Sequence, residues 1–273
     1  MNHWILTTRF VLFLVGWVGY LSAQAPDSMH FQRSISVDAT FVTSDNLANT
    51  YLITAANAVV KLDSVGGKVA SYTNNRLGRA AALDATNPLK LLVWYPDFQT
   101  AVVLDRTLTE LGRLSLAAVG LYAVRAVAMA FDGNIWVYDD VQSKALKIRL
   151  DGAVLLESPP LQGYFPGRFA VTKIRDSGQR VYLNDPESGL CVLDQYANLD
   201  NLYNAFRLID IDTDGAWLLC LEKDRLYFRH QLDMRLWSVP RPPAARVPET
   251  GIWLCKHGLF LQRGRALEQY SWD

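Results

Sequence analysis

The sequence is short of the features that announce a chemistry. Lys+Arg and Asp+Glu stand at 27 each, so no net field draws the chain to nucleic acid or to an anionic membrane. Three cysteines, Cys191, Cys220 and Cys255, are too few and too odd in number for a disulfide framework. Cys220 and Cys255 close two similar apolar runs, Trp217-Leu218-Leu219-Cys220 and Trp253-Leu254-Cys255, and are expected at equivalent buried strand positions. There is no nucleophile elbow, P-loop, dinucleotide fingerprint or HExxH helix, and His230 and His257 fall in different repeats. No cofactor is expected.

Long apolar runs are also scarce. The longest uncharged one, Phe10 to Leu21, follows a single basic residue, Arg9, and precedes Ser22-Ala23-Gln24-Ala25. It is too short for the roughly 20 residues of a membrane-crossing helix. Basic start, apolar middle and small residues at the exit describe a cleavable leader, expected over residues 1–25. The chain is therefore expected to be exported, with no direct membrane insertion once the leader is removed.

What the sequence does have is a period. Leu-Asp doublets recur at Leu62-Asp63, Leu104-Asp105, Leu150-Asp151, Leu193-Asp194 and Leu232-Asp233, with the aspartates 42, 46, 43 and 39 residues apart. Upstream of them lie short β-branched or aromatic runs: Tyr51-Leu52-Ile53, Leu91 to Tyr95, Ile135-Trp136-Val137-Tyr138, Val181-Tyr182-Leu183 and Trp217-Leu218-Leu219. A sixth, Ile252-Trp253-Leu254, precedes Phe260-Leu261-Gln262.

The third repeat is the clearest. Ala126 to Leu150 reads as three strands separated by Asp132-Gly133 and Asp139-Asp140, and a fourth follows at Ala153 to Glu157. Asp-Gly between apolar runs signals a tight primed hairpin turn. Four antiparallel strands in about 43 residues make one propeller blade. The expected fold is all-β, a six-bladed β-propeller of four-stranded antiparallel blades over residues 34–273, preceded by a short segment at 26–33. Residues near Ser34 to Val42 are expected to close the ring against the last sheet. A β-helix or an open sandwich is the competing architecture.

The phrase Phe131-Asp132-Gly133-Asn134-Ile135-Trp136-Val137-Tyr138-Asp139 resembles the blades of bacterial six-bladed propellers of the NHL, SMP-30 and strictosidine-synthase-like group. The resemblance spans residues 34–273 at the level of the repeat, and it implies architecture rather than activity. Hydrolytic members of that group hold a metal in the central channel. Stretches such as Ala80-Ala81-Ala82-Leu83 and Ala126-Val127-Ala128-Met129 are apolar, which speaks against a wet catalytic channel here.

Two sets of carboxylates are candidate sites. Asp97, Asp139, Asp140, Asp185, Glu187 and Asp224 fall in the turns between second and third strands, which open on one face and could receive a basic partner or a cation. The competing reading is that Asp is favoured in turns for its bonds to nearby backbone. Asp210, Asp212 and Asp214, before Gly215, resemble the start of a calcium loop. Position twelve of that loop is Leu221, and in repeat register Asp214-Gly215 matches the Asp132-Gly133 turn, so an ordinary turn is preferred and no metal is assigned.

Trp94, Trp136, Trp217 and Trp253 recur on central strands and are expected to pack between blades. Pro240 to Pro248 is expected as an exposed connector between the last two blades, with Arg241 and Arg246 available to a partner. The expected function is a non-catalytic periplasmic interaction module, in the service of a large outer-membrane β-barrel such as a translocon or transporter. The alternatives are a propeller that binds a small ligand, glycan or cation, and a lactonase- or lyase-like metal-dependent enzyme.

Overall fold

Strands of five or six residues that are apolar on both faces become stable only when a sheet covers each face. In the computed structural model, which describes residues 28–87, 89–204, 206–232, 235–243 and 248–272, the strands do this as six four-stranded antiparallel sheets arranged in a closed ring. Blades I to V run in sequence over residues 39–73, 82–115, 124–157, 173–203 and 210–240, each beginning with its innermost strand. Blade VI takes its three inner strands from residues 251–272 and its outermost from Met29–Ser36. The six-bladed architecture expected from the repeats is thus present, and the residues expected to form the leader lie outside the described residues.

The ring is closed by Met29–Ser36, which pairs antiparallel with Ala266–Trp272 from Met29↔Trp272 to Ser36↔Ala266, with one irregularity between Phe31 and Arg33. Closure therefore starts at Met29, inside the segment expected to precede the propeller. It also ends at Ser36, since Ala39–Ser44 is the innermost strand of blade I and not part of the closing sheet. Burial separates the two strands: the closing strand exposes His30, Phe31 and Gln32 as an outer edge does, whereas Ala39, Val42 and Thr43 are buried at the axis.

Six apolar clusters fill the six interfaces between neighbouring blades, one each. Trp136 and Tyr138 of blade III pack on Ile174, Val181 and Leu183 of blade IV, and a fully buried side chain of this size contributes roughly 3 kcal/mol. Trp94 packs between blades II and III, so the recurring tryptophans do serve inter-blade packing. The IV–V interface is the smallest. Its buried set is Tyr182, Leu190, Val192, Leu208, Ile211 and Leu218, and an apolar cavity of about 290 Å3 opens beside it.

Cys220 and Cys255 are not equivalent. Trp217–Leu221 is the second strand of blade V, while Gly251–Cys255 is the innermost strand of blade VI. In blade V the innermost strand is the carboxylate-bearing Asp210–Thr213 and the apolar run falls second, whereas in blade VI the apolar run is itself innermost. All three thiols are free, and burial pushes each up to about 12.

The Leu-Asp doublets that end in Asp63, Asp105, Asp151 and Asp194 mark turns between third and fourth strands, and Asp233 lies outside the described residues. Asp63 Oδ1 accepts from the backbone N–H of Val65 and Gly67, Asp105 Oδ1 from Thr107 and Thr109, and Asp194 Oδ1 from Tyr196 and Asn198. Asp45 does the same for Leu47 and Asn49 between the first two strands of blade I. In each five-residue turn the fourth residue is left-handed: Gly66, Leu108, Ala197 and Ala48. The Asp132-Gly133 turn has this form too. Only Gly133 has positive φ, so the hairpin is a three-residue bulged turn rather than the two-residue primed turn expected.

Ala48 sits exposed at φ 60°, a conformation that costs an L-residue free energy which glycine avoids. Ala48→Gly is expected to stabilise the protein by about 0.5 kcal/mol in urea unfolding, the relief of strain exceeding the entropy added to the unfolded chain. Gly152→Ala, at φ 94° with a Cβ that would lie 2.6 Å from Val119 Cγ1, is expected to destabilise by about 2 kcal/mol.

Candidate functional site

In a ring of four-stranded blades, turns after the first and third strands open on one face, here called upper. Turns after the second strand and the connectors between blades open on the lower face. Asp97, Asp139, Asp140, Asp185, Glu187 and Asp224 all lie at second-to-third turns, on the lower face. Most of them are engaged locally. Asp97 Oδ2 accepts from Arg79 N–H, buried Asp139 caps Val141 N–H, and Asp140 pairs with Arg125 and Arg168. Asp185 is buried between the N–H groups of Ala170 and Glu187. Glu187 and Asp224 are exposed. Arg241 is held within blade V and its connector, its guanidinium donating to Lys223 O in the second-to-third turn and pairing with Glu249. Arg246 lies outside the described residues.

Asp210, Asp212 and Asp214 do not form a loop around one point. Asp210 and Asp212 alternate along the innermost strand of blade V and are buried at the axis, while Asp214 begins the next turn and caps the N–H groups of Ala216 and Trp217. The two buried carboxylates meet cations of the neighbouring innermost strand, Lys173–Asp176 of blade IV. Lys173 Nζ lies 2.6 Å from Asp210 Oδ1, and Arg175 Nε lies 3.0 Å from Asp212 Oδ1.

These contacts extend across the ring. Arg175 Nη1 is 3.3 Å from Asp84 Oδ2 of blade II, which is not a neighbour of blade IV. Asp84 also accepts from Met129 N–H of blade III, and Asp210 from Leu254 N–H of blade VI. Asp176 accepts from Phe131 N–H and Trp136 Nε1–H of blade III. The axis thus carries a buried polar network, and it reaches the alanine-rich strands as well, because Asp84 directly follows Ala82-Leu83 on the innermost strand of blade II. Burial works against the charge on Arg175, but Asp212 and Asp84 outweigh it and raise its pKa above the ordinary arginine value.

Above Arg175 a cavity of about 240 Å3 opens on the upper face, with all six blades in its wall. Ser44, Thr86, Phe131, Arg175, Asp212 and Lys256 represent blades I to VI in turn. Arg175, Asp84 and the cavity were missed in the sequence. A signal for the ion pairs was present: Lys173-Ile174-Arg175 and Asp210-Ile211-Asp212 occupy corresponding stretches of adjacent repeats with opposite charge. Neither histidine of the later repeats lines this cavity. His230 ends the third strand of blade V against Trp217, and His257, in the first turn of blade VI, is held below its ordinary pKa by burial and Lys256.

No protein-family model matches the sequence, and no curated protein sequence matches it. The fold has solved counterparts at low identity. A streptogramin B lyase superposes with a TM-score of 0.62 at 10% identity, covering 92% of this chain and 100% of that one. Virginiamycin B lyase from Staphylococcus aureus gives 0.64 at 9%, covering 89% and 99%. The Pan2 WD40 domain of Neurospora crassa gives 0.64 at 8%, covering 91% and 96%. An enzyme and a WD40 domain share the architecture, which places this chain among β-propellers and assigns it no activity.

The upper face carries carboxylates held below the ordinary aspartate value. Hydrogen bonds from Thr107 and Thr109 do this for Asp105, those from Arg149 and Ala153 for Asp151, and those from Asn198 and Tyr196, against a desolvation cost, for Asp194. At Asp132, burial opposes ionisation and is overcome by Lys147 and Asn134. A carboxylate depressed in the folded state adds stability above its unfolded pKa, and that stability is lost as pH falls through the folded value. Urea midpoints should therefore hold from neutral pH to about 5 and decline as the pH falls below 3.8. Asp105→Asn should flatten part of that fall.

Proposed function

We propose that this chain is an exported, non-catalytic β-propeller that serves as a protein interaction module in a bacterial envelope. The reading belongs with the resemblance of residues 131–139 to the bacterial NHL, SMP-30 and strictosidine-synthase-like propellers and with the leader-like residues 1–25. The observation that carries it is apolar exposure on the upper face. Leu47, Leu89 and Phe131, at 66%, 63% and 74% exposure, stand on the first turns of three consecutive blades, and Lys90 Nζ lies 3.5 Å from where a Cβ on Gly133 would be, which brings the last two turns together. Large exposed side chains grouped on one rigid face are what a docking surface presents.

Chemistry is a poorer fit to the same residues. The axial carboxylates accept backbone N–H groups or face Arg175 and Lys173, which leaves few of their oxygens to take a proton from a substrate. The partner class proposed is a large outer-membrane β-barrel, with the propeller as an accessory or plug subunit on its periplasmic side. Exposed Glu187 and Asp224 leave the lower face a lesser claim on the same partner.

Photo-crosslinking in the source cell tests this reading. A benzophenone amino acid at Leu47 or Leu89 should give one discrete protein adduct of outer-membrane size, lost when Phe131 is changed to Glu. The same probe at Val154, exposed on the outer strand of blade III, should give none. Equal adducts from all three positions, or none from the upper face, would contradict it.

A further inference from the structure

The floor of the axial cavity is a built site. Arg175 is 3% exposed and lines the cavity, and its guanidinium is held by Asp212 through Nε and by Asp84 and Ile174 O through Nη1. Its Nη2 has no partner among the described residues. Beside it, Asp212 Oδ1 accepts from Arg175 and from Thr213 N–H, while Oδ2 has no partner among the described residues. A pre-fixed N–H donor thus stands next to a pre-fixed carboxylate acceptor on two rigid inner strands. A hydroxyl group accepts and donates at once, so a pair of neighbouring hydroxyls satisfies both.

The rest of the wall narrows the ligand. Ser44 and Thr86 add two hydroxyl-bearing side chains to the wall, although Ser44 Oγ itself is buried. Phe131 stands at the mouth with its backbone N–H fixed by Asp176 and its ring against Gly178, where a Cβ would lie 3.2 Å away. Its exposed face suits the C–H side of a sugar ring. Asp176, Asp212 and Asp214 outnumber Arg175 and Lys256 in the wall, which disfavours an anion. A cation would meet Arg175 at the floor, and Asp176 already spends both oxygens on N–H groups.

We propose that the upper-face axial cavity binds a small neutral polyol, of the class of a monosaccharide or the terminal unit of a glycan. Arg175 Nη2 and Asp212 Oδ2 hold adjacent hydroxyls and Phe131 covers one face of the ring. Binding would not depend on a protein partner, so it is tested on the isolated chain.

The experiment is saturation-transfer NMR with calorimetric titration of the purified folded chain against glucose, galactose, mannose and N-acetylglucosamine, with inorganic phosphate as the anionic competitor. At least one sugar should show transfer and saturable heat, at millimolar affinity, that phosphate does not displace. Phe131→Ala, at an exposed position that leaves the fold intact, and Asp212→Asn should each weaken it by about tenfold. If Asp212→Asn does not fold by circular dichroism, Phe131→Ala alone decides. No transfer from any of the four sugars, an affinity unchanged in a folded variant, or displacement by phosphate overturns the proposal.

Discussion

The buried pairing of Arg175 with Asp212 and Asp84 is the interaction on which the centre of the molecule depends. Six wedge-shaped blades bring their innermost strands to one axis, where side chains are removed from water and a charge is tolerated only if it is paired. Arg175 answers two carboxylates from blades that do not touch each other, so it ties blades II, IV and V across the ring. Lys173 and Asp210 repeat the pairing two residues nearer the lower face and reach blade VI through Leu254. Three of the six blade contacts at the axis thus rest on carboxylates that also receive a neighbour's backbone N–H.

Around that axis the apolar clusters supply most of the free energy, and the closing strand makes them mutual. Because Met29–Ser36 completes blade VI, both ends of the propeller are held in one sheet, and Arg33 extends from it to Gln269 and to Ser64 O in the turn of blade I. The upper face inherits its shape from both features. Its turns are fixed by Asp caps and left-handed fourth residues, and its central depression ends on Arg175. The same surface therefore combines rigid turns that carry Leu47, Leu89 and Phe131 with a rigid polar floor beneath them.

Much of the architecture was legible because it is repeated. An Asp that caps a five-residue turn must stand at the same place in each blade, so the Leu-Asp period at Asp63, Asp105 and Asp194 marked the turns after the third strands. The strand before each doublet was readable from the aromatic and β-branched runs. The closing strand was harder to delimit, since Met29–Ser36 alternates like any outer edge and only pairing distinguishes it from the segment before it. The site was mostly illegible for a related reason. Turn carboxylates such as Asp97 and Asp185 look alike whether they face a partner or a backbone N–H. The contact of Arg175 with Asp84 joins positions 91 residues apart, on blades that are not adjacent. Only the opposed charges of Lys173-Ile174-Arg175 and Asp210-Ile211-Asp212 left a trace in neighbouring repeats.

The most direct measurement is the stability of Arg175→Met by urea unfolding, with amide hydrogen exchange followed on the same sample. Removal of the guanidinium leaves Asp84 and Asp212 buried without a cation, and the expected loss is about 3–5 kcal/mol. Faster exchange should appear in the innermost strands of blades II and V, and at Met129, whose N–H is held by Asp84. A loss below about 0.5 kcal/mol, with exchange unchanged at those strands, would contradict an axis organised by Arg175.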